Sequence, residues 1–162
     1  MTDAACDRHS DGSTATRAGI RYAYRRFGAE KGVPLLFLQH FRGGMGNWDP
    51  RVTDGSAEDR SVILVNGAGV GGYGGTTPDT IEAMAEDIHQ FLVALEVKRL
   101  DLLGFSLGGT IAQTLALNNP ELVRRLVLTG TRPRGGESSG GRGGFTPASV
   151  AAHCNGRHAV SY

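Results

Sequence analysis

Cysteine is nearly absent: two in 162 residues, Cys6 and Cys154, one near each end. Two distant cysteines make neither a disulfide framework nor a zinc-ligand pattern, so a cytoplasmic chain in a reducing compartment is the expectation. Long hydrophobic runs are missing too. The stretch Val33–Leu38 is among the longest, far short of the roughly 20 apolar residues that span a bilayer. The N-terminus, MTDAACDRHSDGST, has no apolar stretch of the kind a secretory signal needs. Charge of one sign is lacking as well: 17 Lys+Arg against 16 Asp+Glu leave +1. That balance gives no electrostatic ground for nucleic acid or an anionic membrane as partner. Hydrophobic residues make up 40% and charged residues 20%, which is the composition of a folded domain, and the length suits one domain.

Glycine is abundant, 25 residues, about twice the average usage of about 7%. Ten of them lie between Gly43 and Gly75, among clear strand and helix signals; seven more lie from Gly135 onward. Ile20–Phe27 alternates Ile20, Tyr22 and Tyr24 with Arg21, Ala23 and Arg25, a half-exposed strand pattern. The runs at Val33–Gln39, Ser61–Val65, Leu100–Phe105 and Arg125–Thr129 are continuously apolar or nearly so, as strands buried on both faces are. Two helices separate the later strands. Over Thr80–Val97, Ile81, Met84, Ile88, Phe91, Leu92 and Leu95 recur at three- and four-residue spacing, with Thr76 or Asp79 as cap. The second runs over Leu107–Asn118 and is stopped by Asn119-Pro120. Apolar strands alternating with amphipathic helices predict an α/β fold with a mostly parallel sheet flanked by helices. Ligand sites in such sheets lie beyond the carboxyl ends of the strands.

One of those ends carries a motif. Gly104-Phe105-Ser106-Leu107-Gly108 spells G-x-S-x-G between a strand and a helix, the setting in which the serine oxygen is lifted clear of the sheet on a strained turn. The Leu107 N–H then opens a helix and points at any anion forming on a substrate.

Here the chain resembles the α/β-hydrolase superfamily, over roughly Gly19 to Pro133. Leu35–Gly44 (LLFLQHFRGG) looks like its oxyanion strand and loop, with Gln39-His40-Phe41 where the family usually has His-Gly-x. Asn66-Gly67-Ala68-Gly69-Val70-Gly71 stands in place of the family's Asp-x-Arg-Gly-x-Gly loop, without its acidic and basic members. Leu102–Gly109 (LLGFSLGG) matches the nucleophile elbow. The resemblance implies a serine hydrolase acting on a small ester or similar acyl bond. Ser106 is then the nucleophile, and the Phe41 and Leu107 N–H groups form the oxyanion hole. It implies a small-molecule substrate and no cofactor. A serine at this position argues against haloalkane dehalogenase chemistry, which uses aspartate. Leu107 argues against the cofactor-free peroxidase type, where methionine is common.

The rest of the triad is not evident. The family order is Ser, then Asp or Glu, then His, yet the acids after Ser106 are Glu121 and Glu137. Glu121 follows a twelve-residue helix, which carries the chain about 18 Å from the nucleophile end. That leaves Glu137 with His153 or His158, all in the segment GGESSGGRGGFTPASVAAHCNGRHAVSY. This segment contains no leucine or isoleucine, against 15 leucines in residues 1–134. The expected organisation is therefore a flexible N-terminal segment (1–18), a partial α/β-hydrolase domain (19–134) and a Gly-rich disordered tail (135–162), in a C-terminally truncated chain. Truncation would leave Arg125–Thr129 as an exposed edge strand prone to self-association. The alternative function is a catalytically incompetent relative that binds without turnover. A dinucleotide site at Gly67–Gly72 is disfavoured, because no helix opens within that glycine motif.

Overall fold

The computed structural model describes residues 13–133 and 159–161. Seven strands form one sheet: β1 (Ser13–Arg17), β2 (Ile20–Gly28), β3 (Leu35–Leu38), β4 (Ser61–Val65), β5 (Leu100–Phe105), β6 (Val123–Thr129) and β7 (Ala159–Ser161). Their order across the sheet is β1-β2-β4-β3-β5-β6-β7. The first two strands run antiparallel to their neighbours, and β4, β3, β5, β6 and β7 are parallel. Three helices connect them: α1 (Pro50–Ala57), α2 (Ile81–Ala94) and α3 (Leu107–Asn118).

Period two explains the apolar runs. In β3, Leu36 and Leu38 face α2 and α3, while Leu35 and Phe37 face the opposite layer around Ala57 of α1. Ile63 and Val65 of β4 divide from Val62 and Leu64 in the same way. With both faces covered, every side chain of β3 and β4 is buried, which is why no polar alternation shows in those segments.

Four features differ from the sequence reading. Residues Ser13–Arg17, expected within a flexible lead-in, form β1 and pair with β2 through the two-residue turn Ala18-Gly19. Both turn residues have positive φ, 50° and 79°, which matches the right-handed twist of a tight hairpin. The usual Asn-Gly or Asp-Gly signal is absent, so the hairpin is not legible. Helix α1 has no long apolar stripe, but Asp49 caps it through Arg51 N at 2.9 Å and Pro50 opens its first turn. The cap of α2 is Thr80, which accepts from Ala83 N at 3.2 Å, rather than Thr76 or Asp79. Finally, β6 is not the sheet edge. Ala159–Ser161, assigned from sequence to the tail, lies beyond it in parallel register, Leu126 to Ala159 and Leu128 to Ser161. Strand pairing satisfies the outward backbone groups of β6 there, which is the physical reason an unpaired edge is disfavoured.

Candidate active site

Register brings the site together. Leu38 lies beside Gly104, and Phe105 beside Thr129. The carboxyl ends of β3, β5 and β6 are therefore level, and the Gln39–Gly44 loop, Ser106 and Thr129–Thr131 share one end of the sheet.

Ser106 forms the corner between β5 and α3 with φ 54° and ψ −119°. A non-glycine residue in this region stores roughly 1–3 kcal/mol of strain. Its N–H is held by Thr129 O at 3.0 Å, and its carbonyl accepts from Gly109 N at 2.9 Å, so the corner is pinned on both sides. Three glycines make the corner fit. A Cβ at Gly104 would lie 2.6 Å from the Gly108 carbonyl, one at Gly108 would overlap the Leu38 carbonyl, and one at Gly109 would overlap Thr131.

Phe41 sits in a turn closed by Gly43 N donating to His40 O at 3.0 Å, with Arg42 at φ 62°. Phe41 is 66% exposed. Neither the Phe41 nor the Leu107 N–H donates to another described residue. Among the described residues these two donors, just beyond the ends of β3 and β5, have no acceptor. His40 does what a loop histidine ordinarily does: its Nδ1 lies 2.8 Å from Phe41 O, and its ring packs edge-on to Phe105 at 5.7 Å. Trp48 is a packing residue, edge-on to Phe37 at 4.9 Å.

The sequence reading missed the residue that joins the two loops. Asn66, buried at the end of β4, accepts from Met45 N at 2.8 Å and donates to Gly71 O at 2.9 Å. A carboxylate could do the first and not the second. Asn66, which stands where the family usually has aspartate, therefore ties the loop after β3 to the glycine loop. That glycine loop carries positive φ at Gly69, Gly71, Gly72 and Gly75, and the next helix starts only at Ile81. No helix N-terminus is in place to hold a pyrophosphate.

A cavity of about 540 Å³ opens beside this loop pair, lined among others by Phe41, Leu107, Ile88 and Asp87; Ser106 stands next to the lining rather than in it. Ligand cavities commonly have about 300–1,000 Å³. Asp87 accepts from the Tyr73 hydroxyl at 2.7 Å. Burial pushes its carboxyl above the ordinary value, and the Tyr73 hydrogen bond offsets that only in part. Burial, together with the neighbouring Asp87, also pushes the Tyr73 phenol up.

At the other end of the sheet, Asp101 is 3% exposed. Arg124 reaches it through Nε at 2.8 Å and Nη2 at 2.6 Å, and Arg60 through Nη1 at 2.7 Å. Burial raises the Asp101 carboxyl, but the hydrogen bonds and charge of Arg124 and Arg60 overcome it, so the net shift is downward. Arg124 and Arg60 thus form a three-residue ion cluster with Asp101.

Among the described residues no acid or base candidate that follows Ser106 in the chain is brought to it. Thr129-Gly130-Thr131 carries no carboxylate, and Glu121 lies between α3 and the start of β6, at the far end. Glu137, His153 and His158 lie outside the described residues. No group of metal-ligating side chains occurs among the described residues. No described helix is long and apolar enough to cross a membrane.

A strained serine at a strand-to-helix corner, beside a cavity at the carboxyl end of the sheet, is the feature that comparison with known proteins places in a family. The profile of the alpha/beta hydrolase fold matches residues 33–156, and the chain belongs to that family. RutD of Rhizobium rhizogenes, which carries the name of a carbamate hydrolase, is 36% identical over 96 residues, 57% of this chain and 36% of its own length. An alpha/beta hydrolase fold protein from Chitinophaga pinensis superposes with a TM-score of 0.75 at 40% identity, over 78% of this chain and 46% of that one. Est816, described as an N-acyl homoserine lactone degrading enzyme, gives 0.65 at 30% identity, over 74% and 45%. The chain spans about two fifths of the length of the curated relatives it matches.

Proposed function

We propose that this chain carries the nucleophile and oxyanion half of a serine hydrolase for a small ester or similar acyl bond. The observation that supports this reading most directly is the backbone of Ser106, φ 54° and ψ −119°, at the corner of β5 and α3. Strain of that kind persists only where the surroundings over-determine it, and it clusters at reacting groups. In the proposed reaction Ser106 Oγ attacks the carbonyl carbon and its proton passes to a base. The carbonyl oxygen becomes an anion held by the Leu107 and Phe41 N–H groups. Collapse expels the alcohol, and water releases the acyl group from the serine. One such backbone donor is worth roughly 3–4 kcal/mol in the transition state. The lactone-degrading enzyme and the carbamate-named relative among the matches are consistent with an acyl or carbamoyl C–O bond as the target.

A second reading, a domain that binds without turnover, is favoured by one observation. The histidine described at the site, His40, has its Nδ1 on Phe41 O, and a serine without a base is a poor nucleophile. A fluorophosphonate, read by intact mass on the full chain with Ser106→Ala as control, separates the two. Stoichiometric labelling that the mutation abolishes is the expected result. Folded protein that stays unlabelled would overturn the hydrolase reading and leave the binding domain.

A further inference from the structure

Two aspartates sit inside this fold with opposite surroundings. Asp101 is enclosed by two arginines and its charge is satisfied. Asp87 is half-buried on α2, lines the cavity, and has one described partner, the Tyr73 hydroxyl on Oδ2. Among the described residues none is shown bonded to Oδ1, and no described cation pairs with this carboxyl. The cavity's apolar lining includes Leu38, Met84, Ile88, Leu107 and Ile111, and its polar side chains besides Asp87 are Gln39, His40, Arg42, Asn66 and Thr77. Arg42, whose guanidinium carries the positive charge bordering the same cavity, is an exposed residue.

A carboxylate in an apolar pocket is costly unless something pairs with it. A ligand that brings a donor to Oδ1 removes that cost, and one without a donor leaves it standing. We propose that the cavity binds a short apolar chain ending in an ammonium or amide N–H, with the chain against Met84, Ile88 and Ile111 and the donor on Oδ1 of Asp87. Phe41 and Leu107 line the same cavity, so a carbonyl on such a chain reaches the oxyanion donors. Resting on the reading of Ser106 given above, the ligand is the acyl part of the substrate: a short amino- or amido-acyl group. Neutral unbranched acyl groups then fit the walls but bring no donor to Oδ1 of Asp87.

The test is binding, which does not depend on turnover. Hexylamine, hexan-1-ol and hexanoate are titrated into the full chain at neutral pH, with the Ile88 and Ile111 methyl signals as the readout. Hexylamine is expected to bind about tenfold more tightly than hexan-1-ol, the margin of one charge-assisted hydrogen bond, and hexanoate most weakly. Asp87→Asn should bring hexylamine down to the level of hexan-1-ol and leave hexan-1-ol unchanged. Equal affinity for hexylamine and hexan-1-ol would overturn the assignment of Asp87. So would tightest binding by hexanoate, which would give the recognition to Arg42, or shifts that bypass both isoleucines. The comparison within wild-type protein decides the matter even if Asp87→Asn fails to fold. Ser106→Ala should bind all three as wild type does, so failure of the nucleophile reading shows in fluorophosphonate labelling and failure of the ligand assignment shows here.

Discussion

Gly108→Ala sets two physical effects against each other at the centre of the site. Gly108 lies in the first turn of α3, where alanine is ordinarily favoured by up to about 1 kcal/mol. Against that, the new methyl would overlap the Leu38 carbonyl oxygen and lie 2.6 Å from Gln39 O, about 0.8 Å short of the 3.4 Å at which ordinary contact begins. Both obstacles are main-chain atoms of the strand end that leads into the Phe41 loop, so no side chain can rotate away. Helix α3 has to retreat from β3, and forced overpacking of this sort costs roughly 1–3 kcal/mol. The expected net effect is destabilisation by about 1–2 kcal/mol in urea unfolding. Labelling of Ser106 by a fluorophosphonate should slow by tenfold or more, because the retreat moves the Leu107 N–H relative to the Phe41 N–H. Gly46→Ala is the control, since a methyl there meets nothing within 4 Å. Stabilisation of Gly108→Ala by the helix-propensity amount, with labelling unchanged, would refute the close approach of α3 and β3 and with it the elbow geometry.

Ser106→Gly should abolish labelling and raise stability by about 1–2 kcal/mol, because glycine occupies φ 54° freely; a loss of stability by thermal melting would show that the corner is not strained. Asn66→Asp keeps the acceptor for Met45 N and loses the donor to Gly71 O, so urea unfolding should register a loss of about 1–3 kcal/mol; a neutral outcome would remove Asn66 as the tie between the loops. The Asp101 carboxyl is held below its unfolded value of about 3.9. Its contribution is therefore complete above about pH 4 and is lost as pH falls through the lower folded value. Arg124→Met should shift the acid-unfolding midpoint, followed by circular dichroism, to higher pH, and an unmoved midpoint would mean that Arg60 alone suffices.

Legibility of the fold followed the strength of local signals. Strands β4 and β5 and helix α3 have the bounds that the sequence pattern gives, because the strands are apolar or nearly so, β4 is followed by Asn66, β5 runs into the Gly104–Gly108 motif, and α3 ends at Asn118 before Asn119-Pro120. Strand β1 is the contrary case. Its residues STATR are small and polar, and its pairing is set by a turn whose Ala18 takes a positive φ that alanine seldom adopts. Helix α1 is only eight residues long and buries just Thr53 and Ala57, too little for a periodic signal. Strand β7 exists through its partner, since three residues carry no pattern of their own.

The site divides along the same line. Ser106, Leu107 and Phe41 are fixed by turns whose residues are adjacent in sequence, and a G-x-S-x-G between a strand and a helix is enough to place two of them. Asn66, Asp87 and Asp101 take their meaning from partners 21, 14, and 41 and 23 residues away respectively. An asparagine after a strand or an aspartate within a helix carries no such information by itself. The consequence bears on function. In the proposed function the reaction type is written in a local motif, whereas the features that would select a ligand arise where α2, α3 and the two loops pack together. The proposed substrate choice therefore rests on residues such as Asp87, whose surroundings appear only once the helices have been laid against the sheet.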